Sequence, residues 1–447
     1  MKKTALIIFA LIISVNFSYA QESGISVSEK DGKLFTAKDL MQTKRLGDPQ
    51  ISPDGTKLLA RIGIPSIAEN KINNDIYVFD INGSSKKRIV DNDASDYNAR
   101  WSPDGKKIAF ISTRDGAPQI YVMDYPDGQP VKVTDMENGV ANMAWSPDGK
   151  YFSFTSDVKL DKFETEKYPD YPAANVRIYD DLPVRHWDHW VDEYYSHLFI
   201  IPVEGGEPKD LMEGEKYETP LQPFGGGEEI AWSPDSKEIA YTSKKVQDFE
   251  TSTNSDIYLV NIESGDTKNI TEGMMGFDKY PAYSPDGGYI AFTSQRRAGF
   301  ESDRIRLMLF DRDDEEITEM TGALDQWVYE YTWAPNSTEI YFTASNEGKV
   351  PVYKLDIRDR SWQIFTSGQY KYGSGLAVTP DGSNVIVGRQ TFSSPVEFYS
   401  IPAAGGDPEN ITKVNFMDYM MIRSPKVEER WITSTDGAKV HCWIIYP

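Results

Sequence analysis

Cysteine and histidine are nearly missing from this 447-residue chain, which has one Cys and four His. A single thiol, Cys442, excludes an internal disulfide framework and reads as a small buried hydrophobe in a strand. His186, His189, His197 and His441 are too few and too scattered to favour a metal-dependent enzyme, and no metal or other cofactor is expected. Positive charge is in deficit: 47 Lys and Arg stand against 69 Asp and Glu, for a net charge of −22. That balance argues against nucleic acid and anionic lipid as partners. Past the first twenty residues no apolar run reaches the length of a membrane span. There is also no Gly-x-Ser-x-Gly elbow. Gly373-Ser374-Gly375 comes nearest, but Tyr372 stands where the first Gly belongs.

The one apolar run is at the start. Lys2 and Lys3 precede Ala5 to Val15, and Ser18-Tyr19-Ala20 supplies small residues at the positions a signal peptidase reads. Residues 1–20 read as a secretory signal, with Gln21 as the new N-terminus and 21–46 as a lead-in segment. Its removal takes two lysines and no acids, so the charge becomes −22 − 2 = −24. No Cys follows the cut, so a lipid anchor is not expected. The expectation is an exported protein, most simply periplasmic, with no membrane partner.

What the chain does have is a repeat. Ile51-Ser52-Pro53-Asp54-Gly55 returns at Trp101–Gly105, Trp145–Gly149, Trp232–Ser236, Tyr283–Gly287, Trp333–Ser337 and Val378–Gly382. The spacings are 50, 44, 87, 51, 50 and 45 residues. Pro presets φ for a type I turn, Asp bonds its own backbone, and Gly takes the left-handed exit. Short apolar strands follow each turn, then a second strand, a Gly-bearing turn and a last strand. Periods of this length with four strands per unit predict an all-β, seven-bladed propeller over 47–413, with the strand before each turn innermost. The large residue ahead of each turn suits packing between blades.

The pattern breaks at the 87-residue gap. The excess, about 158–196, lies inside blade three and ends in Tyr179–Tyr195, which holds Arg185, His186, Trp187, Asp188, His189, Trp190, Asp192 and Glu193. Insertions in repeat proteins emerge on one face, often the binding face. Three readings stay open. The segment is a brace with solvated charges, or a substrate loop whose carboxylates hold a cationic amine between aromatic walls, or a zinc site through His186, His189 and His197. The last has neither helical His spacing nor Cys support. Asp91, Asp93 and Asp96 lack the Gly and closing Glu of a calcium loop. Trp327 and Glu330 form a weaker candidate pair near the innermost strand of blade six, with Glu330 expected to line the channel.

Residues 414–447 do not repeat. They read as a linker and two strands joined at Asp436-Gly437, a strong hairpin turn. An isolated hairpin is marginal in water, so the expectation is a fragment cut at Pro447, at the opening of a second domain.

An exported propeller of Ser-Pro-Asp-Gly blades followed by "TSTDGAKVHCWIIYP" resembles the N-terminal part of the prolyl oligopeptidase family of serine peptidases. The Leu34–Gly55 stretch and Arg185-His186-Trp187-Asp188 are similar to its dipeptidyl- and acylaminoacyl-peptidase members. The resemblance implies that the hairpin opens an α/β-hydrolase domain whose Ser, Asp and His are expected beyond Pro447, so no catalytic residue falls within this chain. It implies a propeller that gates a serine exopeptidase for short peptides with a free amino terminus. Asp188, Asp192 and Glu193 are then candidates for the ammonium, Trp187 and Trp190 for walls, and Arg185 for a carbonyl or carboxylate donor. Partners implied are peptides, the hydrolase domain and a homodimer of the full-length form. The blade motif itself is shared with TolB-type propellers, and a non-catalytic periplasmic scaffold is the alternative.

Overall fold

The computed structural model describes residues 32–446 apart from Asp91, Asp181, Asp248 and Gln369, and leaves out the side chain of His186. The expected signal segment and Gln21 lie outside the described residues. So does Pro447, the residue beyond which the catalytic Ser, Asp and His are expected. Seven antiparallel blades form the propeller. The inner strands of the first six are Arg45–Ile51, Asp96–Trp101, Ala141–Trp145, Ile230–Trp232, Asp278–Tyr283 and Val328–Trp333. In the seventh the inner strand is split into Lys371–Tyr372 and Ala377–Val378, both paired to Asn384–Thr391. The first inner strand starts two residues before the expected boundary at 47.

The repeated turns behave as their chemistry dictates. Ser102 Oγ donates to Asp104 at 2.7 Å, and the N–H of Gly105 donates to the Ser102 carbonyl at 2.9 Å. Each turn also touches its neighbour. A side chain at Gly105 would meet Pro53 of the preceding blade, and one at Gly149 would meet Pro103. Two copies carry Ser at that position, at φ 61° for Ser236 and 57° for Ser337. Their hydroxyls accept from the Asp148 and Asp286 N–H groups, each at 3.0 Å. A residue that looks degraded in the repeat thus supplies a bond between blades.

The large residues before the turns pack between blades and bond across them. Trp145 Nε1 donates to the Arg100 carbonyl at 3.2 Å, Trp232 Nε1 to Ser153 Oγ at 2.9 Å, and Trp333 Nε1 to the Ala282 carbonyl at 3.1 Å. These three rings place their one polar atom on an acceptor of the preceding blade, whereas Trp101 Nε1 is buried without a hydrogen-bond partner.

Among the described residues every blade is a contiguous piece of chain, and no exchanged strand closes the ring. Leu58, Ile62 and Phe79 of blade one pack instead on Ile386, Phe398 and Ile411 of blade seven. The flanking segments add a polar clasp. Asn415 accepts from the Lys44 N–H at 3.0 Å and donates to the Lys44 carbonyl at 3.1 Å. The Lys33 N–H donates to the Met421 carbonyl at 3.0 Å, and the Arg423 N–H to the Lys33 carbonyl at 2.9 Å.

Strand direction fixes the two faces. The Ser-Pro-Asp-Gly turns and the third-to-fourth-strand turns share one face. The second-to-third-strand loops and the crossovers between blades share the other. The blade-three insertion is a second-to-third-strand loop. It is carried on a strand pair, Tyr151–Lys159 and Tyr194–Pro202, of 9 residues each, where blades two, four and five use 6.

After the last blade, Lys426–Thr433 and Lys439–Tyr446 pair from Lys426↔Tyr446 to Thr433↔Lys439 around Gly437 at φ 87°. Trp443 packs on Phe392 with ring centres 5.2 Å apart. A side chain at Gly348 would run into His441 and Trp443. Both Gly348 and Phe392 lie in second-to-third-strand loops, of blades six and seven. The hairpin therefore docks on the face from which the insertion emerges. Its Trp431, Ile432, Val440 and Ile445 are exposed.

Candidate functional site

The insertion is built from small local structures. Phe163 leads into the single helical turn Glu164–Lys167. Further on, Arg185–His186 pairs with His189–Trp190 in a two-residue ladder, Arg185 opposite Trp190. Trp187 sits at its tip at φ 55°. A bulky side chain in the left-handed region carries strain that its surroundings must hold. The Trp187 ring is 73 % exposed and meets Phe224 edge-on at 6.1 Å. Phe224, also exposed, comes from the crossover between blades three and four. The Arg185 guanidinium lies 5.8 Å from the centre of the Trp190 ring, which stacks on Tyr179 at 6.4 Å.

The candidate acids separate. Asp188 is exposed at the tip and pairs with His189 at 3.3 Å. Glu193 contributes mainly backbone, its carbonyl accepting from the Leu160 N–H at 3.1 Å. Asp192 accepts from the Tyr194 N–H at 3.0 Å at the foot of the insertion. There its charge acts on two further carboxylates, Glu218 and Asp157. Burial pushes Glu218 up to about 7, with Asp157 and Asp192 adding repulsion. Burial also raises Asp157, again with Asp192 adding to it. Glu218 and Asp157, each raised in part by the charge of Asp192, form a site that a cation would stabilise.

His197 has no free nitrogen for zinc. Its ring is fully buried, with Nδ1 2.8 Å from Asp210 and Nε2 2.8 Å from the Glu215 carbonyl. Burial disfavours its charge, but the Asp210 carboxylate outweighs that and raises its proton affinity. Asp96 is likewise engaged within its blade, by Arg114 at 3.1 Å and Asn92 at 2.8 Å. Among the described residues no group of three or more His, Cys, Asp or Glu is arranged to hold a metal.

Glu330 does not line the channel as expected. The inner strand bulges between Val328 and Glu330, and Oε2 accepts from the Gly375 N–H of blade seven at 3.1 Å. The broken strand around Gly373-Ser374-Gly375 leaves N–H groups without a ladder partner, and Glu330 supplies one. Burial raises its proton affinity against those bonds. Glu330 is a brace between blades six and seven, while Trp327 stands half-exposed just before the same strand.

The crossover into blade four adds groups the sequence did not flag. Glu229 is buried and accepts from the Leu221 N–H at 2.7 Å, and burial pushes it up to about 7. Burial pulls Lys279 of blade five down, against the pull of Glu229 and Glu228. Its ammonium lies 4.3 Å from the Tyr280 ring centre. Asp157, Glu218, Glu229 and Lys279 are ordinary loop or strand residues in the sequence. Only tertiary packing brings Asp157 to Glu218 and Glu229 to Lys279, so no local signal marks them.

The comparisons agree with this architecture. The family model for the TolB beta propeller domain matches residues 37–168 and 228–418, which leaves most of the insertion unmatched. The dipeptidyl-peptidase 5 of Porphyromonas gingivalis is 37 % identical over 94 % of this chain and 62 % of its own length. That of Porphyromonas endodontalis is 34 % identical over 100 % of this chain and 65 % of its own length. The chain thus spans under two thirds of these relatives. The Pyrococcus horikoshii acylaminoacyl peptidase superposes with a TM-score of 0.70 at 19 % identity, over 92 % of this chain and 59 % of that one. With seven blades, the repeated turn and the family match in place, the chain belongs to the TolB β-propeller family and is a propeller of the prolyl oligopeptidase family.

Proposed function

We propose that this chain is the substrate-gating propeller of an exported serine exopeptidase that removes dipeptides from short peptides. In this reading an α/β-hydrolase domain supplies the Ser, Asp and His that the sequence lacks, and the terminal hairpin is its first element. The leader-like segment 1–20 motivates the export. The relatives named dipeptidyl-peptidase 5 support a peptide substrate.

One observation carries the site assignment. The insertion and the hairpin share a face of the propeller, the foot of the insertion gathers Asp157, Asp192 and Glu218, and the exposed Trp187 at its tip meets Phe224. A peptide ammonium placed there meets carboxylates whose mutual repulsion it relieves, and the aromatic rings wall the first side chains. A blocked amino terminus leaves those carboxylates unpaired, so it is rejected. Asp192 is the acid assigned to the ammonium, and Asp188 is left at the rim.

The test is kinetic. In an active enzyme carrying this propeller, Asp192→Asn should raise KM for free-amine dipeptidyl substrates about tenfold, roughly 1.4 kcal/mol. A small ester without an amine should be unaffected. Unchanged KM on both substrates would overturn the assignment.

A further inference from the structure

Blade five carries arginines that neither the turns nor the proposed ammonium site use. Its second-to-third-strand loop, residues 295–305, opens on the face that bears the insertion and the hairpin. A cavity of about 270 Å³ is lined there by Arg296, Arg297, Asp303, Arg304 and Arg306. Glu319 and Asp303 make the ion pairs to the four guanidinium groups, and the buried Asp278 carboxyl also acts on Arg306. Glu319 takes Arg304 at 2.6 Å, Arg306 at 3.3 Å and Arg296 at 3.4 Å. Asp303 takes Arg297 at 3.1 Å. The guanidinium groups outnumber the carboxylates that pair with them, in a chain of net charge −22.

The site is held in place. Asp303 accepts from the backbone N–H groups of Arg296 and Arg297 at 3.1 and 3.0 Å, and Gln295 donates to the carbonyls of Glu301 and Asp303 at 2.8 and 2.7 Å. Arg304 is fixed by the Thr321 carbonyl at 2.8 Å. Arg306 is 7 % exposed and donates to Ser294 at 3.0 Å, and its Nε has no hydrogen-bond partner. A buried charged donor left unmatched costs free energy that an incoming acceptor recovers. Arg296 and Arg297 are the exposed pair, with side chains 69 % and 62 % exposed.

We propose that this cavity binds a carboxylate carried by a peptide, at its C-terminus or on an Asp or Glu side chain. Guanidinium groups pair with carboxylates through two parallel N–H···O bonds, which suits a planar monoanion. Phosphate can accept the same paired N–H···O bonds, so the titration below separates the two. The oxyanion preference rests on the arginines alone. The choice of a peptide as carrier rests on the function proposed above.

The test is calorimetric titration of this chain at low salt with N-acetylated probes. These are Ac-Ala-Ala-Ala as free acid, the same peptide as C-terminal amide, Ac-Ala-Glu-Ala amide, and inorganic phosphate. Acetylation removes the ammonium, so loss of the Asp192 assignment leaves this readout untouched, and the Asp192→Asn kinetics do not depend on the arginines. At least one carboxylate-bearing peptide should bind about tenfold tighter than the neutral amide, and the one that does names the source of the carboxylate. Added salt should shrink that difference. Arg296→Gln with Arg297→Gln should abolish it, and the paired Lys variant should keep part of it. A neutral amide that binds as well as the acids, a preference that survives the Gln variant, binding of phosphate alone, or no binding of any probe would overturn the proposal.

Discussion

Asp278 lies fully buried at the start of the inner strand of blade five, opposite Ser294. Burial pushes its carboxyl from 3.8 up to about 7, and the charge of Asp256 adds to that. The folded protein therefore holds a proton there that the unfolded chain has already released above pH 5. Where the folded state binds more protons, stability falls as pH rises. The window runs from the unfolded value near 4 to the folded value near 7. A shift of about three units corresponds to about 4 kcal/mol at most, and dielectric relaxation around a buried acid brings the expectation to about 2 kcal/mol. Asp278→Asn mimics the protonated acid at every pH. It should change stability by under 1 kcal/mol at pH 5 and stabilise by about 2 kcal/mol at pH 8. Urea unfolding of both proteins at the two pH values measures this. An equal effect at both, or destabilisation at pH 8, would refute the placement of a neutral acid at this position.

Three further outcomes are expected. Ser236→Ala removes an acceptor from the Asp148 N–H while keeping the strained φ, so it should cost about 1 kcal/mol, and Ser337→Ala should do the same through Asp286; urea unfolding reads both. Asn415→Ala breaks both bonds of the clasp to Lys44, so it should cost about 2 kcal/mol and increase amide exchange in the first and seventh blades before the others. Trp187→Ala removes an exposed ring, so stability should change by under 0.5 kcal/mol while affinity for a free-amine peptide falls. A large loss of stability instead would mark the ring as a brace.

Local chemistry determined the propeller. A Ser-Pro-Asp-Gly turn specifies its own backbone, and its recurrence every 44 to 51 residues, with one longer gap, counts the blades without tertiary information. The terminal hairpin was equally legible, because Asp436-Gly437 between β-rich strands encodes a turn directly. The insertion announced itself by breaking the period. Contacts between blades were not legible, because they join residues far apart in the chain with no pattern of their own. Ser236 and Ser337 looked like decay of the motif, yet each bonds the preceding blade. Glu330 looked like a channel residue until the bulge at its own strand and the broken strand of blade seven turned it into a brace. Asp188 and Asp192 were equivalent on paper. Tertiary structure separated them, since only Asp192 acts on Asp157 and Glu218, and the field at a carboxylate depends on what the fold packs around it.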